Sequence, residues 1–167
     1  MTELGTLVRG DHDDLTHALR VLADPMASAG QLSATLDHLV VTFPAHAEAE
    51  CLTLHAMLEA VQPPPAVYFL IAQVVAAHLA QESALIALTR LQPGTPRFRD
   101  SAVLLGSLIQ QHADHELACL QPALVDHVPR TMHEQLAHSY TSERARSLEL
   151  AEEAARFAQH HARRRSA

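Results

Sequence analysis

What most constrains this chain is the position of its ionisable residues, which fall inside the apolar stripes of its helices instead of on their polar faces. Ala- and Leu-rich segments with few glycines carry apolar residues at the 3.6-residue recurrence of an amphipathic helix, and strand-type alternation is absent. Breaks fall at Asp24-Pro25 through Gly30, at Pro63-Pro64-Pro65, at Gln92-Pro93-Gly94-Thr95-Pro96 and near Pro129. They predict helices over about 3–23, 31–61, 66–91, 100–126 and 130–163. Short connections make antiparallel neighbours the default. The expected fold class is therefore all-α: an up-and-down four-helix bundle over 1–129, with an additional C-terminal helix and basic tail over 130–167, packed outside the bundle or against a partner.

The inward stripes can be named. The first helix offers Val8, His12, Leu15, Leu19 and Leu22, and the second offers Leu39, Phe43, His46, Glu50, Leu54 and Met57. The third gives Val67, Ile71, Val74, His78, Glu82, Leu85 and Leu88, and the fourth Leu105, Ile109, His112, Glu116 and Leu120. Burying histidine and glutamate without partners costs on the order of several kcal/mol, so something must satisfy them.

An internal repeat sharpens the pattern. A shift of 66 residues lays His12 on His78, His46 on His112 and Glu50 on Glu116. The same shift matches Val8 with Val74, Leu19 with Leu85, Leu39 with Leu105 and Leu54 with Leu120. A helix pair is used twice, each copy carrying one His on its first helix and His-x-x-x-Glu on its second. Residues four apart share a helix face, so each His-x-x-x-Glu presents both donors inward. Four imidazoles and two carboxylates converging in a helical core suit iron, with manganese or zinc as other options, and two carboxylates can bridge two metals. Filling two six-coordinate ions with these groups and an oxo or hydroxo bridge leaves about two positions open. Glu82, one turn beyond His78, is the candidate for an extra ligand, and otherwise a carboxylate that hydrogen-bonds a ligand histidine. The alternative is a core whose polar residues hydrogen-bond one another without metal.

These residues, over about 3–126, resemble the hemerythrin-like (HHE cation-binding) family: His12, His46-x-x-x-Glu50, His78 and His112-x-x-x-Glu116 stand in that order on successive helices. The resemblance implies a four-helix bundle holding a non-haem di-iron centre with bridging carboxylates. Family members include oxygen carriers, oxygen or redox sensors, proteins of nitric-oxide stress and iron–sulfur repair, and some that decompose peroxide. The chain departs from the oxygen-carrier pattern twice. That pattern has His-x-x-x-His on its third helix, where His78 is flanked at that spacing by Val74 and Glu82, and His-x-x-x-x-Asp on its last, where this chain has His112-x-x-x-Glu116. Both departures favour the broader bacterial-type reading, in which oxygen, peroxide or nitric oxide meets iron at open positions. A catalase-like enzyme and an iron- or redox-responsive interaction protein without turnover are the other two classes.

Composition excludes more than it adds. Thirteen histidines outnumber the twelve basic residues, and the net charge is −7. Residues 1–129 carry five arginines against fourteen carboxylates, a surface that phosphate would repel, so nucleic acid is not an expected partner. Cys51 and Cys119 form no CxxC, the N-terminus has no signal-peptide pattern, and the apolar run Ala66 to Ala80 is interrupted by Gln73 and His78. These features predict a soluble, cytoplasmic protein with no membrane partner, and leave room for a homodimer or a protein partner through the C-terminal helix. Cys119 reads as a small buried thiol and Cys51 has no assigned role. His133-Glu134 and His138 are not a zinc-protease motif, since their histidines are five apart and do not share a face. Ferritin-type Glu-x-x-His pairs are missing. The tail His160-His161-Ala162-Arg163-Arg164-Arg165 reads as a cationic helix end.

Overall fold

A computed structural model describes the backbone of residues 2–165 and the side chains of residues 2–154. The side chains of the basic tail lie outside the described residues. The chain is all-helical, with no strand among the described residues. The helices are α1 (Glu3–Ala23), α2 (Ala29–Val61), α3 (Pro65–Thr89), α4 (Pro96–His115), α5 (Gln121–His127) and α6 (Arg130–Arg165). A π-helical turn, Glu116–Leu120, joins α4 to α5 without a break.

Local chemistry sets the boundaries. Thr2 caps α1 by accepting from the Gly5 N–H, and Ser28 and Gln31 form a reciprocal capping box at the start of α2. Thr95 accepts from the Phe98 N–H and Pro96 occupies the first turn of α4, so that helix starts at Pro96, ahead of the expected residue 100. The fourth helix, expected to run unbroken to 126, passes through the π turn, where the Gln121 N–H reaches the Glu116 carbonyl. One extra residue enters the winding there, which turns Gln121 inward. α2 continues through Pro44, and Gln62 ends it in the left-handed region before the proline run.

Helix α1 packs against α2 and α4, α3 packs against α4 and α2, and α6 lies along α2 and α1. Buried apolar residues form two clusters. One contains Leu4, Val8, Leu54, Val74, Leu120 and, from α6, Leu136, Ala137 and Tyr140. The other contains Leu15, Leu19, Leu39, Phe43, Leu85, Leu105 and Ile109. Along α1, α2, α3 and α4 with its π turn, the histidines and glutamates of the repeat lie where the two clusters meet, joined by Gln81 on α3, so these form a polar layer within the core.

Helix α3 extends beyond the apolar run that the sequence shows. The apolar run counted there ends at Ala80, but the helix continues to Thr89 and is long and apolar enough to cross a membrane. Core helices of soluble proteins pass the same test. One face of α3, through Val67, Ile71, Val74, His78, Gln81, Leu85 and Leu88, is buried, while Phe69 and Leu79 on its outer side are 65% and 59% exposed.

Candidate metal centre

Six of the seven residues singled out from the sequence meet in the polar layer. His12, His46, Glu50, His78, His112 and Glu116 are each at most 5% exposed. His12 is contributed by α1, His46 and Glu50 by α2, His78 by α3, and His112 by α4, while Glu116 opens the π turn. One donor atom from each of His12, His46, Glu50 and His112 lies within 4.8 Å of the others. His78 Nε2 is 3.5 Å from Glu50 Oε2 and 3.0 Å from His112 Nε2. Glu116 lies 3.2 Å from His112 Nε2 through Oε1 and 3.8 Å from His12 Nδ1 through Oε2. The rings of His12, His46, His78 and His112 meet edge to face around the layer.

The decisive observation is what this cluster leaves unpaired. His12 Nε2, His46 Nε2, Glu50 Oε2 and Glu116 Oε1 are buried and make no hydrogen bond, although the two carboxylate oxygens stand 3.2–3.7 Å from ring nitrogens of His46, His78 and His112 without hydrogen-bond geometry. Each such atom costs about 1–3 kcal/mol. A core selected only for hydrogen bonding would not hold four of them together. Imidazole nitrogens and carboxylate oxygens facing one another, with lone pairs unused, are the donor set of a metal ion, so the residues fit a bound cation.

Comparison with family models, with curated proteins and with solved structures finds no match. The case for the site rests on its chemistry.

Electrostatics support that chemistry. Burial and the neighbouring imidazoles push His12 and His78 down to about 2, and His112 down to about 4, so these rings are neutral and carry a lone pair at ordinary pH. Burial raises Glu50 and raises Glu116 well above the usual carboxylate range; for Glu116 the neighbouring Glu50 adds to the effect. Without a cation the layer resists holding two negative charges, and a bound cation removes that resistance.

His46 has support that the sequence did not reveal. Its Nδ1 is 2.8 Å from the Tyr140 hydroxyl on α6, and that hydroxyl donates to Asp11 Oδ2. Tyr140 has one proton to give, so His46 donates from Nδ1, and its Nε2 is the ring nitrogen that faces the cluster. Arg144, also on α6, donates to the same Asp11 oxygen. Burial would raise the Asp11 carboxyl, but hydrogen bonding with His46 and Tyr140 and the Arg144 charge together hold it below its usual value. Tyr140 is pushed up by burial and by Asp11.

Glu82 is the residue the structure leaves outside. It is exposed and lines a groove between α2 and α3, while its neighbour Gln81 is the buried one, donating to the Leu108 carbonyl. The inward face of α3 passes from His78 through Gln81 to Leu85, so the residue three positions on lies inside the fold and the residue four on does not. Cys119 is half-buried and outside the cluster. Cys51 Sγ lies 3.5 Å from His78 Nδ1, a contact unsuspected from sequence, and burial raises its thiol to about 11. His17, His38, His55 and His127 are exposed, and half-buried His115 contacts Gln73. Asp11 could have been suspected only from its place beside His12. Nothing in the sequence linked Tyr140, on a helix outside the repeat, to His46.

Proposed function

We propose that this chain is a hemerythrin-like protein in which α1 to α4 form an up-and-down four-helix bundle around a di-iron centre, with α6 as an added helix. His12, His46, His78 and His112 would hold the ions as terminal ligands, and Glu50 and Glu116 as bridges. The observation that carries this reading is the set of four unpartnered donor atoms within one buried layer. The pairwise helix contacts and the near-equal extents of α2 and of α4 through α5 under the 66-residue shift support the bundle. When bound, such a centre supplies redox chemistry toward oxygen, peroxide or nitric oxide. The chain itself keeps His12, His78 and His112 neutral, sets which ring nitrogen of His46 donates to Tyr140 and surrounds the layer with apolar side chains that exclude bulk water. A small diatomic or peroxide ligand in the cytoplasm completes the proposal.

Metal content after anaerobic loading with ferrous iron tests it. About two irons per chain are expected, with near-ultraviolet and visible absorption in air, and both are lost in a His46→Ala, His112→Ala double variant. No bound metal and no change in melting temperature with iron would defeat the reading. The contact of α6 with His46 favours a second use of the same site: iron occupancy would stabilise how α6 is held, making the chain an iron-responsive interaction protein. Protection of α6 from hydrogen exchange on loading, without turnover of peroxide, would support that use.

A further inference from the structure

Three openings lead from the surface toward the layer, and they differ in what lies at their inner end; the one between α3 and α4 reaches His112 past Gln73, Gln81, Gln111 and His115 and offers no carboxylate. A cleft of about 190 Å³ opens between α1 and α4. Exposed Arg9, Asp13, Gln110 and Asp114 surround its mouth, with Gln110 donating to Asp114 Oδ1 and leaving Asp114 its other oxygen; half-buried Thr16 lines it, and His12 and Glu116 close it. Those last two side chains, 4% and 2% exposed, carry two of the four unpartnered atoms, His12 Nε2 and Glu116 Oε1. The groove between α2 and α3 is walled by Phe43, Pro44, Ala47, Val75 and Leu79 and reaches His78. There Nδ1 already meets Cys51 and Nε2 meets His112. Of the two carboxylates on that groove, Glu48 is held by Ser147 and Arg146, which leaves Glu82.

We propose that the α1/α4 cleft is the route by which a divalent cation reaches the buried layer, with Asp13 and Asp114 attracting it and His12 and Glu116 receiving it. This rests on the metal-centre reading above. A hydrated cation surrenders its waters more readily where other ligand atoms replace them, and Asp13, Thr16, Gln110 and Asp114 offer oxygens between solvent and the layer. The walls of the α2/α3 groove offer hydrocarbon instead. Carboxylates at a mouth raise the local cation concentration, an effect that salt screens. Arg9 opposes it, so the three charged groups at the mouth act with opposite signs.

The test is the rate at which the metal-free full-length chain takes up Co²⁺, followed by the absorbance of the bound ion, with final cobalt content measured separately. The Asp13→Asn, Asp114→Asn double variant should load about three- to tenfold more slowly at low salt. The deficit should shrink at high salt, with unchanged final content and an unchanged melting curve. Arg9→Gln should load faster. Unchanged rates in both variants, or slowing by Glu82→Gln instead, would overturn this route while leaving the metal centre standing. Loss of final content in the double variant would make the two carboxylates part of the centre and also overturn their role as a route. If the unaltered chain binds neither Co²⁺ nor Fe²⁺, the metal reading fails and the route fails with it.

Discussion

The two helix pairs carry the same donors in the same order, yet they sit in different surroundings. In the α1–α2 pair, α6 lies along the outside, and Tyr140, Asp11 and Arg144 lock the far side of His46. Among the described residues the α3–α4 pair is less covered: Phe69 and Leu79 on α3 and Val103 and Leu104 on α4 are all more than half exposed. The position equivalent to Asp11 under the repeat is Ala77, and α6 has no counterpart. The second pair has its own feature, the π turn, whose register buries Gln121 where the first pair has exposed His55. Duplication thus copied the donors, while unrepeated elements decided how firmly each donor is held.

The largest expected effect comes from removing equivalent donors one at a time. His46→Ala and His112→Ala should each cost at least one metal ion per chain by elemental analysis, since each removes one terminal imidazole. Only His46→Ala should also increase hydrogen exchange in α6. Equal exchange in both variants would mean that the α6 contact is incidental.

A second test uses pH on the metal-free protein. The unfolded chain takes up protons at His12, His78 and His112 near 6.5, whereas the folded chain refuses them until about 2, 2 and 4. The unfolded state therefore binds more protons in that window, and stability falls as pH drops through it. Glu50 and Glu116 act in the opposite sense, their raised values costing stability as pH rises above 4.5. A Glu50→Gln, Glu116→Gln variant removes that opposition. Its unfolding free energy should be lower at pH 5 than at pH 7 by at least about 2 kcal/mol, the value for a single imidazole across that interval. In NMR titrations His112 should protonate before His12 and His78, and simultaneous titration would contradict the described asymmetry.

Tyr140→Phe tests the unrepeated support directly. It removes one donor from Asp11, which keeps Arg144, and takes the hydroxyl partner from His46 Nδ1, at a cost of about 1–3 kcal/mol in denaturant unfolding and about tenfold in metal affinity. Gln73→Leu, which removes the His115 contact in the other pair, should shift both quantities by less. The smallest effect is expected at Gly5, where an added Cβ would press on the buried Gln121 amide that the π turn directs inward. Gly5→Ala should destabilise by about 1–2 kcal/mol without altering metal content.

Most helix limits were legible because proline and capping residues act locally: α1 falls on the expected 3–23, and α2 and α3 end within two residues of expectation. The six clustered residues were legible because an ionisable group in an apolar stripe is conspicuous, and twice at one offset more so. Glu82 was misplaced for a geometric reason. Helical periodicity permits either the third or the fourth residue beyond His78 to face inward, and only the packing of α3 against α4 selects Gln81. The π turn left no clear signature, since α and π windings differ by one residue that is fixed by tertiary contacts.

By itself, the sequence determined an all-helical chain, most of the limits of its helices and a pair of matched donor sets, because periodicity, caps and repeat spacing are properties of neighbouring residues. Only the tertiary structure decided that both sets share one layer between two apolar clusters, and that four of their atoms face one another unpaired. It also decided that a tyrosine 94 residues from His46 sets which nitrogen of that ring donates to it. Such contacts depend on how whole helices pack, and no local pattern in the chain encodes them.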